Sequence, residues 1–351
     1  MGAAFLPRLS RQECRSHTIH LPILPYLVVT EFDLIKRYFA APSLRRDDVV
    51  LGIGDDAALV TVPYGSSLAV SVDTLVENVH FPGATVARDV GYKALAVNLS
   101  DMAAMGAEPA WATLALTLPD ADERWLAAFS EGFFELAGEF GVRLIGGDTC
   151  RGALAVTVQM MGHVPAELAL RRDGAGVGDS IFVTGTLGDA GLGLQWIQGG
   201  TDVAFGEGER AFAAQRLNRP TPRVAAGCAL RACASAAIDV SDGLAADLGH
   251  ILHASGVGAT LNAASLPLSS AVKRVVAATG SWFLPLAAGD DYELCFTAPS
   301  GSRDEVVSRV SHSGCAVTCI GQIDQQPGLR LRTVNDEVVE IGALEGYRHF
   351  G

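Results

Sequence analysis

Aspartates stand beside glycines or after short apolar runs at several places in this 351-residue chain. Residues at the ends of strands lie at the rim of a sheet, where binding sites are usually built, so we expect these acids to lie close together. Converging carboxylates repel one another, and Mg²⁺ binds a few carboxylates while keeping positions open for water and phosphates. The pattern therefore predicts a site where magnesium holds phosphate groups. The acids concerned are Asp55, Asp56, Asp73, Asp148, Asp239, Asp242, Asp290 and Asp291.

Asp101 extends this pattern into a predicted helix. It lies three residues after Asn98, and so on the same helix face, in a stretch that is otherwise almost uncharged. A carboxylate there requires a cation, because burying an unpaired charge is strongly unfavourable. Each aspartate taken singly is also typical of a helix cap or a turn, as Asp242 before Gly243 illustrates. The number of such sites and their glycine neighbours favour a binding site, since glycine lets a ligand approach the backbone.

The common phosphate-binding loops do not explain the pattern. The sequence contains no G-x-x-x-x-G-K-S/T motif, which excludes a P-loop kinase. Gly52-Ile-Gly-Asp-Asp-Ala is similar to a dinucleotide-binding loop, but its two aspartates would repel a pyrophosphate. The glycine-rich run from Thr184 to Gly193 suits either a phosphate at a helix start or a tight strand-to-helix turn.

Composition narrows the class of protein further. The net charge of −13 argues against nucleic acid as a partner, because phosphate-backbone binding needs clustered Lys and Arg. No run reaches the roughly 20 apolar residues that span a bilayer, so we expect no membrane segment. The seven cysteines form no C-x-x-C pair and are expected to be reduced thiols, which favours the cytoplasm.

Hydrophobic spacing predicts mixed α/β structure in two domains. We expect residues 1–30 to be a disordered extension or the result of a misassigned start, residues 31–165 to form an N-terminal domain, and residues 166–351 to form a C-terminal α/β domain. In the first domain, helices are predicted from Arg88 to Met105 and from Glu123 to Phe140. The predicted strands of that domain are Val49 to Leu51, Leu68 to Val72, Ala112 to Leu118, Arg143 to Ile145 and Ala155 to Met161.

Six motifs follow one another along the chain. They are Gly52-Ile-Gly-Asp-Asp-Ala, Ser71-Val-Asp-Thr-Leu-Val, the run from Tyr92 to Pro109, Ile145-Gly-Gly-Asp-Thr, Ile238-Asp-Val-Ser-Asp-Gly-Leu and Gly289-Asp-Asp-Tyr-Glu-Leu. Together they resemble the thiamine-monophosphate kinase family, which belongs to the aminoimidazole ribonucleotide synthetase, or PurM-like, superfamily. The resemblance extends from Glu31 to Phe350, and six motifs in order are far more specific than a single glycine-rich loop.

The resemblance implies a two-domain PurM-like fold and a homodimer in which the N-terminal domains pair through their sheets. It also implies an ATP-dependent enzyme that phosphorylates thiamine monophosphate to thiamine diphosphate by direct in-line transfer on a cluster of aspartates holding several Mg²⁺ ions. The acceptor phosphate is already anionic at neutral pH, so positioning and electrostatics would carry the catalysis and no residue is assigned as a proton-transfer catalyst.

The resemblance assigns residues by motif. The implied magnesium ligands are Asp56, Ser71, Val72 through its carbonyl, Asp73, Asp101, Asp148, Asp239 and Asp242, the implied ATP contacts are Gly147, Asp148, Arg172 and Ser241, and the implied thiamine monophosphate contacts are His80, Asp290 and Tyr347. Three positions depart from the family pattern, since Val72 replaces a hydroxyl residue, Asp290 replaces Glu, and Leu168 stands where Arg is frequent. Two alternatives stay open: another PurM-like ATP-dependent synthetase, and a non-catalytic protein that binds nucleotide or thiamine phosphate.

Overall fold

The structure, a computed structural model, describes residues 31–40, 43–200 and 203–341. The predicted extension, residues 1–30, and the predicted substrate contact Tyr347 lie outside the described residues. Within the described part of the chain, no helix is long and apolar enough to cross a membrane. The described strands form one two-stranded hairpin, one four-stranded sheet and one seven-stranded sheet, which confirms the predicted mixed α/β fold.

The first half of the chain contains the hairpin and the four-stranded sheet. In this sheet the strand order is third, sixth, fourth, fifth, and only the fourth and fifth strands run parallel. Three helical segments accompany them. The elements are α1 (Glu31–Leu34), which continues into a π-helical turn (Ile35–Ala40), then β1 (Val49–Leu51), β2 (Leu59–Val60), β3 (Ser66–Val76), α2 (Ala87–Ala104), β4 (Glu108–Leu118), α3 (Glu123–Glu139), β5 (Arg143–Arg151) and β6 (Ala155–Pro165).

The second half contains the seven-stranded mixed sheet, and each sheet is built from strands on one side of residue 165. The position of the domain boundary itself stays a prediction. The elements are β7 (Ser180–Thr184), α4 (Asp189–Ile197), α5 (Glu207–Asn218), α6 (Val224–Leu230), β8 (Ala236–Asp239), α7 (Leu244–Ser255), β9 (Gly258–Asn262), α8 (Ser270–Thr279), α9 (Phe283–Ala287), β10 (Leu294–Ala298), α10 (Arg303–His312), β11 (Val317–Asp324), β12 (Gly328–Arg332) and β13 (Val338–Glu340). The strand order in this sheet is β13-β12-β9-β11-β7-β10-β8.

Helix α2 is the element that joins the two halves. It packs against α3, β3 and β6 of the first half and against α6, β8 and β10 of the second, so almost all of its length is buried. At the α2–α6 contact a Cβ on Gly227 would come within 2.0 Å of the Ala103 carbonyl oxygen, and only glycine permits this approach. The closeness of the two helices holds α2 firmly against the second half.

The structure corrects the prediction that the acids follow strands. Strands β3 and β5 continue past Val72 and Ile145, so Asp73 and Asp148 lie within strands. The reason is the sheet itself, because the β3–β6 ladder pairs residues 66–76 with 155–165 without interruption, whatever their polarity. Asp290 is preceded by helix α9 instead of a strand. Asp239 does end a strand, β8.

Candidate active site

A cavity of about 720 Å³ lies between the two halves of the chain. Its wall is formed by the C-terminal part of β3, the turn after it, α2, the C-terminal end of α4 and the loops after β8 and α9. Acids occupy one part of this wall, and aliphatic side chains of α4 and α5 occupy another. The predicted site residues that line it are Val72, Asp73, His80, Asp101, Asp239, Ser241, Asp242 and Asp290.

Three of the lining acids form what we call the carboxylate cluster: Asp73 from β3, Asp101 from α2 and Asp239 from β8. Burial, together with the charges of Asp101 and Asp239, raises the pKa of Asp73 to about 7. Burial and the charge of Asp101 likewise raise the pKa of Asp239 to about 7. Burial is also the main cause of the raised pKa of Asp101. These three carboxylates are close enough to oppose one another's ionisation.

The cluster has few donors to balance its charge. The hydroxyl of Ser71 donates to Asp101, and the hydroxyl of Ser100 donates to Asp239 over 2.8 Å. The charge of the exposed Arg172 offsets a small part of the rise in the pKa values of Asp101 and Asp239, so this predicted ATP contact lies near the cluster. Neutral hydroxyls stabilise carboxylates much less than a bound cation does.

The donor atoms of the cluster suit a hard divalent cation. Within residues 31–40, 43–200 and 203–341, no three His, Cys, Asp or Glu side chains are arranged as ligands of one metal ion. Mg²⁺ does not require such a set, because it is usually held by one or two carboxylates together with water and phosphate oxygens. The mutually repelling oxygens of the half-buried Asp73 and Asp101 and of the buried Asp239 therefore fit magnesium that is bound jointly with a phosphate ligand.

Asp247 organises the loop that carries Ser241 and Asp242. One oxygen of its carboxylate accepts hydrogen bonds from the backbone N–H groups of Ser241, Asp242 and Gly243, each over 3.0 Å. Burial, with the charges of Asp239 and Asp242, raises the pKa of Asp247 to about 8. Sequence reasoning missed this residue. An aspartate in the first turn of α7, four residues after Gly243, does indicate a carboxylate that can bind backbone amides of the preceding loop.

Another part of the cavity wall contains His80 and Asp290. The turn after β3 holds His80, whose ring Nδ1 accepts a hydrogen bond from the Val76 N–H over 3.0 Å. Asp290 and Tyr292 both have positive φ, at 61° and 49°, in a loop that directs them into the cavity. Positive φ is strained for residues with a side chain, and such strain is concentrated at binding sites. Lys93 of α2, which sequence reasoning did not single out, pairs with Asp290.

A second buried charged group lies behind this loop, and we call it the arginine–glutamate network. Glu293 is fully buried and its two carboxylate oxygens accept hydrogen bonds from Arg216, Arg223 and Thr184 over 2.6–2.8 Å. Arg216 also donates to the Asp291 carbonyl over 2.9 Å. This network supports the strained loop from the side away from the cavity.

The glycine-rich run from Thr184 to Gly193 ends in the same region and forms a strand-to-helix turn between β7 and α4. The N–H of Gly188 in this turn donates to the Asp291 carboxylate over 2.7 Å. That backbone amide therefore binds a carboxylate of the chain itself. This favours a tight strand-to-helix turn over a phosphate-binding site for the run.

Other predicted site residues lie apart from the cavity. Asp148 is exposed and is in register with Ala115 of β4, which places it on the sheet face opposite Asp73. Its neighbour Gly147 has φ 153°, and a Cβ there would come within 1.9 Å of the Leu114 carbonyl oxygen, so glycine is required. Asp56 is exposed in the turn between β1 and β2. Although Val72 borders the cavity, it is 59% exposed.

Comparisons with known proteins cover both halves of the chain. Residues 54–164 match the family model of the AIR synthase related protein, N-terminal domain, and residues 176–334 match the model of its C-terminal domain. The thiamine-monophosphate kinase of Salmonella typhimurium (strain LT2) is 49% identical over 321 residues, which are 91% of this chain and 98% of that protein.

Solved structures give the same result. The crystal structure of thiamine-monophosphate kinase from Stenotrophomonas maltophilia K279a is 50% identical with a TM-score of 0.79, covering 86% of this chain and 96% of that one. The structure of AaThiL complexed with AMPPCP and TMP is 31% identical with a TM-score of 0.71, covering 95% of this chain and 100% of that one. The similarity therefore includes the elements that form the cavity.

Proposed function

This chain belongs to the thiamine-monophosphate kinase family of the PurM-like superfamily, and we propose that it transfers the γ-phosphate of ATP to the phosphate of thiamine monophosphate, giving thiamine diphosphate. The observation that carries the proposal is one cavity lined both by the carboxylate cluster and by His80 and Asp290, whose part of the wall we call the acceptor end. Two anionic phosphates must meet in this reaction, and a cavity with cation-binding and acceptor ends suits that requirement.

The residues of the carboxylate cluster, with Ser71 and Asp242, would hold magnesium. Mg²⁺ bound there would neutralise phosphate charge and align the donor and acceptor groups. Arg172 would add positive charge on the same side, and the loop held by Asp247 would present Ser241 to the nucleotide. The acceptor phosphate needs no general base, so these residues act by binding and orienting both substrates.

We also propose that two copies pair through their four-stranded sheets. The sheet face opposite α2 exposes Leu68, Val70 and Val72 of β3, an apolar stripe of the kind that marks protein interfaces. Strands β3 and β5 are the two edges of the sheet, about 14 Å apart at the usual strand spacing. Within one chain Asp148 is thus remote from Asp73, and a second copy could bring its own Asp148 to the site.

Native mass should show a dimer, and Val70→Glu should give a monomer with little activity. A monomeric wild-type protein with full activity would contradict this pairing.

The location we propose is the cytoplasm, where ATP is available. Its support is that the cysteines of the described residues are free thiols, as is usual for proteins of a reducing compartment.

The test of the proposed function is ADP release by the purified protein with Mg²⁺ and ATP, measured against a panel of acceptors. We expect release that depends on thiamine monophosphate, with thiamine diphosphate identified by chromatography and little release with thiamine or without acceptor. Turnover with a different acceptor would favour another PurM-like synthetase. Calorimetric binding of both ligands without product would favour a non-catalytic binding protein.

A further inference from the structure

Lys93 is a buried lysine at the interface of the two halves. Only 2% of the residue is exposed, and its Nζ lies 3.1 Å from Oδ2 of Asp290 and 3.4 Å from the backbone carbonyl oxygen of His80. An ammonium group without solvent needs hydrogen-bond acceptors and an opposite charge, and these two contacts supply both. The side chain of Lys93 in α2 therefore links two segments that are far apart along the chain.

The two contacts of Lys93 are the two described residues at the acceptor end of the cavity. His80 belongs to the turn after β3 and Asp290 to the strained loop before β10. The Lys93 side chain is 3% exposed, while that of Asp290 is 28% exposed and borders the cavity. The ammonium thus lies behind the acceptor end and leaves Asp290 facing the space where a ligand would bind.

Helix α2 also fixes the distance between Lys93 and the carboxylate cluster. Lys93 and Asp101 are eight residues apart on this helix, which corresponds to about 12 Å at the α-helical rise. The helix is held between the halves by close packing, so its two functional positions cannot shift independently. The acceptor end and the carboxylate cluster are therefore set on one rigid element.

We propose that Lys93 is a positioning residue for the acceptor substrate: its ammonium holds the Asp290 carboxylate and the His80 turn in the arrangement that binds the acceptor. This inference rests on the proposed function and adds to it the residue that joins the two acceptor contacts. Lys93 itself makes no described hydrogen bond to Ser241 or to the carboxylate cluster, so we expect its effect to fall mainly on acceptor binding.

The experiment compares steady-state kinetics of wild type, Lys93→Met and Lys93→Arg with each substrate varied in turn. Methionine keeps the apolar stem and removes the ammonium. We expect Lys93→Met to raise KM for thiamine monophosphate at least about tenfold, as for loss of a charged hydrogen bond, and to leave KM for ATP within about twofold of wild type. Lys93→Arg keeps the charge and should recover part of the acceptor affinity.

A double variant separates positioning from general damage. If Lys93 acts through Asp290, Lys93→Met combined with Asp290→Asn should bind the acceptor no worse than the weaker of the single variants. The matched control is Arg231→Met, which removes the ion pair between Arg231 and Glu108, another link between the two halves but remote from the cavity. This control should have the kinetic constants of the wild type.

Several outcomes would overturn the proposal. These are an unchanged acceptor KM in Lys93→Met, equal increases in both KM values, or additive effects in the double variant. If Lys93→Met lacks the cooperative thermal transition of the wild type, Lys93→Gln, which keeps a hydrogen-bond donor and removes the charge, decides, and an acceptor KM equal to that of wild type counts against positioning. A wild-type protein without thiamine-monophosphate-dependent turnover would refute the proposed function itself, whereas normal wild-type turnover with insensitive Lys93 variants would refute only this inference.

Discussion

The carboxylate cluster and the arginine–glutamate network are both charged groups that are buried at least in part, but they are balanced in opposite ways. In the network, Glu293 is surrounded by two guanidinium groups and a hydroxyl, and both of its oxygens are hydrogen-bonded. In the cluster, Asp101 and Asp239 receive one hydroxyl hydrogen bond each from Ser71 and Ser100. The network is complete without a ligand, whereas the cluster has an excess of negative charge.

This difference indicates which buried acids hold the fold and which bind a ligand. Removing one partner of a buried ion pair is strongly destabilising, because it leaves a buried charge without compensation. Carboxylates whose pKa values are raised by burial and by one another destabilise the chain unless a cation joins them. The same residue types thus have opposite effects on stability and activity, and variants in the two groups should separate these effects.

The largest expected effect is on turnover in the carboxylate cluster. Asp101→Asn should lower kcat by about 1,000-fold, because it removes a central charge of the site. The free energy of unfolding should be equal to or higher than that of wild type, since the repulsion from Asp73 and Asp239 decreases. The measurements are steady-state kinetics and urea unfolding. Asp89→Asn, on the same helix but outside the cavity, is the control and should keep normal turnover; a comparable loss there would assign the effect to α2 in general.

The network should show the converse behaviour. Glu293→Gln leaves Arg216 and Arg223 without their buried counter-charge and should lower the free energy of unfolding by about 3–5 kcal/mol. Urea unfolding measures the change. Glu305→Gln, which removes an exposed ion pair with Arg309 within α10, should cost no more than about 0.5 kcal/mol. Equal costs for the two variants would mean that the network is not a structural support.

Magnesium alone should also distinguish the two groups. At a concentration about 100 times its dissociation constant, Mg²⁺ should stabilise wild type by about 2.7 kcal/mol, and thermal unfolding at constant ionic strength measures this gain. Asp101→Asn should gain clearly less. Glu209→Gln, which removes an acid of α5 remote from the cavity, should gain as much as wild type. The same magnesium response in all three proteins would place the cation outside the carboxylate cluster.

The sequence indicated one of these two groups and not the other. The aspartates at 73, 101 and 239 could be singled out because each interrupts an apolar stretch, and the structure brings the three together. The prediction that the acids follow strands was wrong for Asp73 and Asp148, because the length of a strand depends on its partners in the sheet. The roles of the site residues stay predictions.

The pairing of distant residues could not be predicted from local spacing. Lys93 and Asp290 are 197 positions apart, and Arg216 and Glu293 are 77 apart, so no sequence pattern links them. Each of these contacts depends on how α2, α5 and the loop before β10 pack in the folded chain. Asp247 is an intermediate case, since its place in the first turn of α7 hints at a loop clamp but does not identify the three amides that it binds.

The smallest expected effect concerns Asp291, next to Glu293. Burial raises its pKa to about 8 from the ordinary value of 3.8, and the groups that face it are Arg216, Asp189 and Glu293. The folded state binds this proton more tightly than the unfolded state does. The contribution of the protonated Asp291 to stability is therefore fully present below pH 4 and is lost as pH rises through 8. For one proton the slope is at most about 1.4 kcal/mol per pH unit.

Asp291→Asn should therefore be nearly neutral at pH 4, within about 1 kcal/mol, because the amide has the shape of the protonated acid and can still accept from Gly188, and it should become more stable than wild type as pH rises toward 8. Urea unfolding of wild type and variant from pH 5 to 9 should show that wild type loses stability relative to the variant as pH rises. Asp291→Leu, which has no polar atoms for the Gly188 amide, should be destabilised at every pH. Parallel pH profiles for wild type and Asp291→Asn would mean that Asp291 is ionised in the folded state, and the network would then carry one more negative charge than its arginines balance.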